Sequence, residues 1–115
     1  MKTVFGIKNC NTVKKVLDYL NEHQIAYEFH DYKKLGVTSS VLENWCNQVS
    51  WEVLVNKKGT TWRQLTDEEK AAVKDVASAV ALMLAKTSVI KRPIITESDR
   101  ILTIGFDEQA LAQLK

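Results

Sequence analysis

Apolar and polar positions along the chain follow two different periods. Residues 2–7 hold Thr3, Val4, Phe5 and Ile7, which are β-branched or aromatic, and Gly6 marks the end of the run. This reads as a short strand. A polar turn follows, Lys8-Asn9-Cys10-Asn11-Thr12, rich in residues that cap helices. Val13, Val16, Leu17 and Leu20 then fall at i, i+3, i+4 and i+7, the stripe of an amphipathic helix ending near His23. Residues 26–30, Ala-Tyr-Glu-Phe-His, form a second strand candidate. The chain therefore opens as strand, helix, strand, with Cys10 in the first strand-to-helix turn.

The middle reads as helical. Ser40 with Glu43, and Thr66 with Glu69, have capping-box spacing. Val41, Leu42, Trp45, Cys46 and Val49 make one apolar helix face, and Val76, Val80, Met83 and Leu84 make another. A polar hinge, residues 56–62, lies between these helical starts. Two further strand candidates follow, residues 94–96 and 101–104, joined by Glu97-Ser98-Asp99-Arg100 as a hairpin turn. Asp107 is placed to cap a last helix carrying Leu111 and Leu114. The order is β-α-β, a helical block, then β-β-α, an α/β chain with no internal repeat and no linker.

Composition narrows the class. The chain has 115 residues, 45% hydrophobic and 26% charged, so it has the make-up of one globular domain. Sixteen basic and fourteen acidic residues give a net charge of +2, too mild for a nucleic-acid partner. No apolar run approaches the roughly 20 residues that span a bilayer, so no membrane role is expected. The opening segment MKTVFGIKNC lacks the long apolar stretch of a secretory leader, and a cytoplasmic location is expected. Two cysteines, Cys10 and Cys46, are too few for a disulfide framework or a four-thiolate zinc site. His23 and His30 show no metal-ligand spacing with each other or with the cysteines.

Cys10 is the candidate for chemistry. A cysteine just before a helix meets unpaired amides and the positive end of the helix dipole, which stabilise a thiolate. Lys8, Lys14 and Lys15 add positive charge nearby in sequence. A buried, inert cysteine would suit the same position, but the polar neighbours Asn9, Asn11 and Thr12 favour exposure. Val13 stands where a dithiol motif would have its second cysteine, so redox chemistry needs a partner thiol from elsewhere. Cys46, beside Trp45 on an apolar helix face, reads as a core residue. Trp45, Trp51 and Trp62 read as core or cover residues, since no basic stripe accompanies them. The only proline, Pro93, directly precedes a strand; local sequence by itself favours a trans Arg92–Pro93 bond.

These segments resemble a known family. Residues 5–10 (FGIKNC), 29–32 (FHDY), 56–62 (NKKGTTW), 90–94 (IKRPI) and 105–107 (GFD) are similar to motifs of the ArsC/Spx family of thioredoxin-like proteins, closest to its YffB-like branch. The resemblance covers nearly the whole chain. It implies a thioredoxin-like fold in one domain, residues 1–115, with a helical insertion over roughly 38–88. It implies that Cys10 is the catalytic cysteine and that Pro93 is the family's cis-proline, facing the thiol. Arg92 matches the arginine that receives an oxyanion or the attached glutathione.

Departures from the family pattern shape the functional expectation. The arsenate reductases of this family use three arginines around the thiol, and Arg92 alone is kept here. The second falls near Asn56, Lys57 and Lys58, and the third near Gly105. Lysine offers a point charge where arginine offers a planar fork, so arsenate should bind poorly. The resemblance therefore implies a glutathione-dependent thiol–disulfide oxidoreductase, with glutathione as co-substrate and no tightly bound cofactor. Glutaredoxin is a candidate partner, and a monomer is expected. Cys10 is its nucleophile, with Lys8, Asn11, Thr12, Lys58, Arg92 and Pro93 around the substrate. An arsenate reductase is one alternative. A regulator of the Spx kind, which binds RNA polymerase, is another; Val13 in place of a second cysteine and the short C-terminal end stand against it.

Overall fold

The computed structural model describes residues 1–114. Among these, the chain divides into two compact units. One comprises Met1–Leu35 with the chain from Arg92 onward, and the other is Gly36–Lys91.

The first unit is built on a four-stranded sheet in the order β2-β1-β3-β4. The strands are β1 (Lys2–Gly6), β2 (Tyr27–Asp31), β3 (Ile94–Glu97) and β4 (Arg100–Ile104). β1 pairs in parallel with β2 and antiparallel with β3, and β3 pairs antiparallel with β4. A parallel pair needs a crossover, and helix α1 (Asn11–Glu22) supplies it. Val4 lies opposite Ile95, and both side chains are fully buried on one face of the sheet. Val16 and Leu20 of α1, with Leu111 of the last helix, complete that core. Leu17, expected in the same stripe, is half-buried and packs against its edge.

The β3–β4 hairpin turns at Ser98 and Asp99, with φ of 51° and 65°. Two successive positive φ values are what a two-residue type I′ turn requires, and they match the strand twist. The register slips by one residue between Ile95 and Thr96, leaving a bulge in β4. Thr103 is 3% exposed, and its hydroxyl has no hydrogen-bond partner among the described residues.

The second unit holds α3 (Ser39–Gln48), α4 (Trp51–Leu54), α5 (Thr60–Arg63), α6 (Asp67–Ala72) and α7 (Val76–Ala85); α2 (Tyr32–Leu35) belongs to the first unit, as does α8 (Glu108–Ala112). α3 packs on α7, and Leu42, Trp45, Leu54, Ala79 and Met83 are all fully buried or within 1% of it. A backbone bridge between Val55 and Ile90 closes the unit, with Asn56 N donating to Val89 O at 2.8 Å and Lys91 N to Leu54 O at 2.7 Å. The expected capping box at Thr66 and Glu69 is present, and Asp107 caps α8 through the amides of Gln109 and Ala110.

Some expectations need correction. α3 starts earlier than the Ser40–Glu43 spacing suggests, because the Thr38 hydroxyl accepts from the Val41 amide and serves as the cap. The polar hinge over residues 56–62 contains the start of α5. Cys46 is half-buried on α3 and not in the core, and burial, with the Glu43 carboxylate, pushes its thiol up.

Two substitutions test this packing. A Cβ on Gly6 would meet Val13 Cγ2 at 2.9 Å. Gly6→Ala should therefore destabilise the fold by about 1–3 kcal/mol in urea unfolding. Thr103→Val removes an unpaired buried hydroxyl with little change in shape, and should leave stability unchanged or raise it by about 1 kcal/mol in the same assay.

Candidate functional site

Cys10 is placed by the close approach of α1 to the end of β1. Gly6 lacks a side chain, so Val13 in the first turn of α1 can pack onto it, with Phe29 of β2 alongside. Residues 7–9 connect strand to helix, and Cys10 becomes the N-cap with extended backbone (φ −134°, ψ 123°). Its carbonyl accepts from the Lys14 amide at 3.0 Å, the first bond of the helix. No acidic residue occupies the first turn, so nothing there competes with an anion for the positive end of the dipole.

The sulfur makes no conventional capping hydrogen bond. The charged thiolate is what gains from this setting. Burial pushes the Cys10 thiol up, but the Val13 amide, a side-chain hydrogen bond from Arg92, the Thr12 amide and the Arg92 charge together outweigh it. The net result is a thiol held below its ordinary value.

Arg92 reaches the sulfur because of the sheet. Phe5 near the end of β1 lies opposite Ile94 at the start of β3, so both strands deliver their flanking residues to one end. The Arg92–Pro93 bond is cis, as the family resemblance implied and against the trans preference of local sequence. Pro93 is buried, and its carbonyl accepts from the Gly105 amide at 2.8 Å. Gly105 has φ of 71°, in the left-handed region that glycine tolerates and other residues resist.

The other expected site residues divide. Thr12 acts on the thiolate through its amide, and so does Val13, which sequence reasoning treated as a missing cysteine. The signal was its position in the helix's first turn. Asn11 and Lys8 are exposed, and the charge acting on Cys10 is that of Arg92 and not that of the nearby lysines. Lys15 instead lies over the Phe106 ring at 5.9 Å.

Lys58 belongs to the other unit. Its neighbour Lys57 is engaged there, with Nζ 5.4 Å and 5.6 Å from the ring centres of Trp51 and Trp62 and 3.9 Å from a Glu52 carboxylate oxygen. Lys58 is exposed and its ammonium has no partner among the described residues. The half-buried indoles of Trp51 and Trp62 therefore hold a lysine, while Trp45 is a core residue. No helix among the described residues is long and apolar enough to cross a membrane.

Known proteins match this architecture. Residues 5–114 fit the ArsC family. The chain belongs to the ArsC family. A protein of Haemophilus influenzae without characterized function is 43% identical over 109 residues, which is 95% of this chain and 94% of that one. The structure of a protein named YFFB superposes with a TM-score of 0.93 at 41% identity, covering 99% of this chain and 98% of the other. The solution structure of an arsenate reductase (ArsC) related protein from Brucella melitensis gives 0.78 at 42% identity, covering 99% and 94%. The ArsC-family fold is thus a thioredoxin-like α/β fold, with the sheet order described above.

The electrostatics of this ArsC-family site set its pH response. A lowered thiol pKa means that the thiolate, and with it the alkylation rate of Cys10, rises at lower pH than for an ordinary cysteine. Cys46 is shifted the other way and should label later. Arg92→Ala removes both a hydrogen bond and a charge, and should move the Cys10 midpoint upward in iodoacetamide kinetics followed against pH.

Proposed function

We propose that this protein is a glutathione-dependent thiol–disulfide oxidoreductase that works with one nucleophilic cysteine. The observation that carries this reading is the Cys10 sulfur, whose anionic form is favoured by helix amides and Arg92 in spite of partial burial. Membership in the ArsC family and similarity to an arsenate reductase related protein support a thiol-reductase or arsenate-reductase kind of activity.

In the proposed reaction the Cys10 thiolate attacks the glutathione sulfur of a mixed disulfide. The new bond joins Cys10 to glutathione, the old sulfur–sulfur bond breaks, and the substrate thiolate leaves with the electron pair and takes a proton from water. A second glutathione thiolate then attacks the Cys10-bound sulfur. Glutathione disulfide forms, and the Cys10 thiolate returns. The external thiol is needed because Val13 stands where a resolving cysteine would sit. Arg92 serves the thiolate in the resting state and is the cation beside an arriving glutathione. Lys58 is the unengaged cation of its pair, suited to a glutathione carboxylate. Glutaredoxin is a candidate source of the second thiol, and the protein is taken as a cytoplasmic monomer.

Arsenate reduction is the second reading, favoured by the 42% identity to the Brucella melitensis protein. Its difficulty lies in the cations. Lys57 is occupied by two indoles and a carboxylate, and Gly105 has no side chain to offer. A tetrahedral oxyanion would find one guanidinium where bidentate recognition calls for more.

Steady-state reduction of a glutathionylated peptide, with glutathione and a recycling system, tests the first reading. Cys10→Ser should abolish turnover, and Cys46→Ser should leave it intact. Arg92→Ala should lower kcat/KM about 10–100-fold, as expected for loss of a charged hydrogen bond. Equal rates for wild type and Cys10→Ser end the proposal. Arsenate-dependent turnover with glutaredoxin supplied should stay at background; turnover above it would favour the second reading.

A further inference from the structure

Trp51 and Trp62 frame a cation within the Gly36–Lys91 unit. Trp51 opens α4, where the Ser50 hydroxyl caps the helix by accepting from the Glu52 amide at 3.2 Å. Trp62 lies in α5, which a hydrogen bond between the Thr61 and Ser88 hydroxyls, 2.7 Å long, ties to the segment 87–89. Between the two helices the chain turns at Asn56. Its amide donates to Val89 O at 2.8 Å, and its side-chain oxygen accepts from the Lys58 amide at 3.2 Å. A Cβ on Gly59 would meet Asn56 Nδ2 at 2.9 Å, so the turn closes tightly. The result is that Lys57 Nζ lies 5.4 Å from one indole centre and 5.6 Å from the other, beside the Glu52 carboxylate.

Two indole rings and a carboxylate make a receptor for a cation, and Lys57 fills it incompletely. Its ammonium is 3.9 Å from Glu52 Oε2, beyond the reach of about 2.9 Å that a charged hydrogen bond requires. The side chains of Lys57 and Glu52 are 46% and 63% exposed, so water competes for both charges. An ammonium is a compact, strongly hydrated charge. A guanidinium is planar and weakly hydrated; it stacks on an aromatic face and presents a fork that a carboxylate accepts with two oxygens. The same three groups therefore suit a guanidinium better than the ammonium they hold. They grip only the tip of a side chain, as Lys57 shows, and the carboxylate lies open to solvent. That arrangement fits a residue presented on the surface of another protein.

We propose that Trp51, Trp62 and Glu52 form a docking site for an arginine side chain of a protein partner, with Lys57 as a resident cation that the arriving guanidinium displaces. The Lys57 ammonium then moves into water, where hydration offsets the contacts it leaves. Docking involves no covalent step and does not depend on the chemistry of Cys10.

The probe is the peptide acetyl-Gly-Arg-Gly-amide, titrated into the full chain and followed by the indole N–H signals in NMR. The signals of Trp51 and Trp62 should shift together, while that of Trp45, buried in the core, stays in place. The citrulline peptide keeps the shape, loses the charge, and should shift neither. Lys57→Ala empties the receptor and should tighten binding about tenfold, the combined scale of one exposed cation–π contact and one exposed ion pair. In that background Glu52→Gln should weaken binding about tenfold, as for loss of a charged hydrogen bond. Both side chains are exposed, so neither substitution threatens the fold. Cys10→Ser should bind the peptide as wild type does.

Unshifted Trp51 and Trp62 signals in the Lys57→Ala protein overturn the inference. So does an equal response to the citrulline peptide, an affinity that Lys57→Ala leaves unchanged or lowers, or binding undiminished by Glu52→Gln. A lysine peptide that binds as tightly as the arginine peptide overturns the assignment to a guanidinium. Binding lost in Cys10→Ser would put the arginine at the thiolate and overturns the inference as well, whereas a protein without oxidoreductase activity that still binds the peptide leaves it standing.

Discussion

The antiparallel pairing of β1 with β3 is the contact on which the Cys10 site depends. Thr3–Thr96, Val4–Ile95 and Phe5–Ile94 join two stretches of chain that the whole of Gly36–Lys91 separates. Because the strands run in opposite directions, the exit of β1 and the entry of β3 share one end of the sheet. Cys10 follows the first, and Arg92 precedes the second. The cost of closing so long a connection grows only with the logarithm of its length, and burying Val4 against Ile95 under Val16, Leu20 and Leu111 offsets it. One face of the sheet thus supplies the stability, and its end brings Arg92 to Cys10.

At that end the balance of forces on one sulfur decides what the site can do. Burial alone would keep Cys10 protonated and inert, as it does for Cys46, where the Glu43 carboxylate adds to the effect. Cys10 differs in what surrounds it. Two amides of an uncapped helix start and one guanidinium favour the anion, and no first-turn carboxylate opposes them. The two thiols of the chain are thus driven in opposite directions by their neighbours, Cys10 toward the thiolate and Cys46 toward the thiol.

The cations show the same division of labour. Lys57 and Lys58 are adjacent and chemically identical, yet Lys57 is held over Trp51 and Trp62 beside Glu52, and Lys58 extends into solvent. Lys15 is drawn to Phe106. Counting basic residues near the cysteine in sequence therefore misplaces the charge that it feels, since the charge acting on the sulfur is that of the sequence-distant Arg92.

Features that depend on neighbours along the chain were legible in the sequence. The α1 stripe, the Thr66–Glu69 box, the Asp107 cap and the hairpin at Ser98-Asp99 all follow from spacings of four residues or fewer. Helices of one turn, α2, α4 and α5, were not, because four residues are too few to show a period. The start of α3 was misplaced because Thr38, Ser39 and Ser40 can all cap, and the choice among them is made by which register buries Leu42 and Trp45. The family resemblance supplied the pairing of Cys10 with Pro93 and the cis bond, which no local spacing contains. The sequence by itself determined the order of the strands and longer helices, and it singled out Cys10 at the start of α1 with no second cysteine at Val13. Only the tertiary structure decided that Arg92, and not a lysine, serves that thiol. The reason is physical: a hydrogen bond from Arg92 to Cys10 exists only once β1 and β3 have paired, and the order of residues does not say which distant strands will meet.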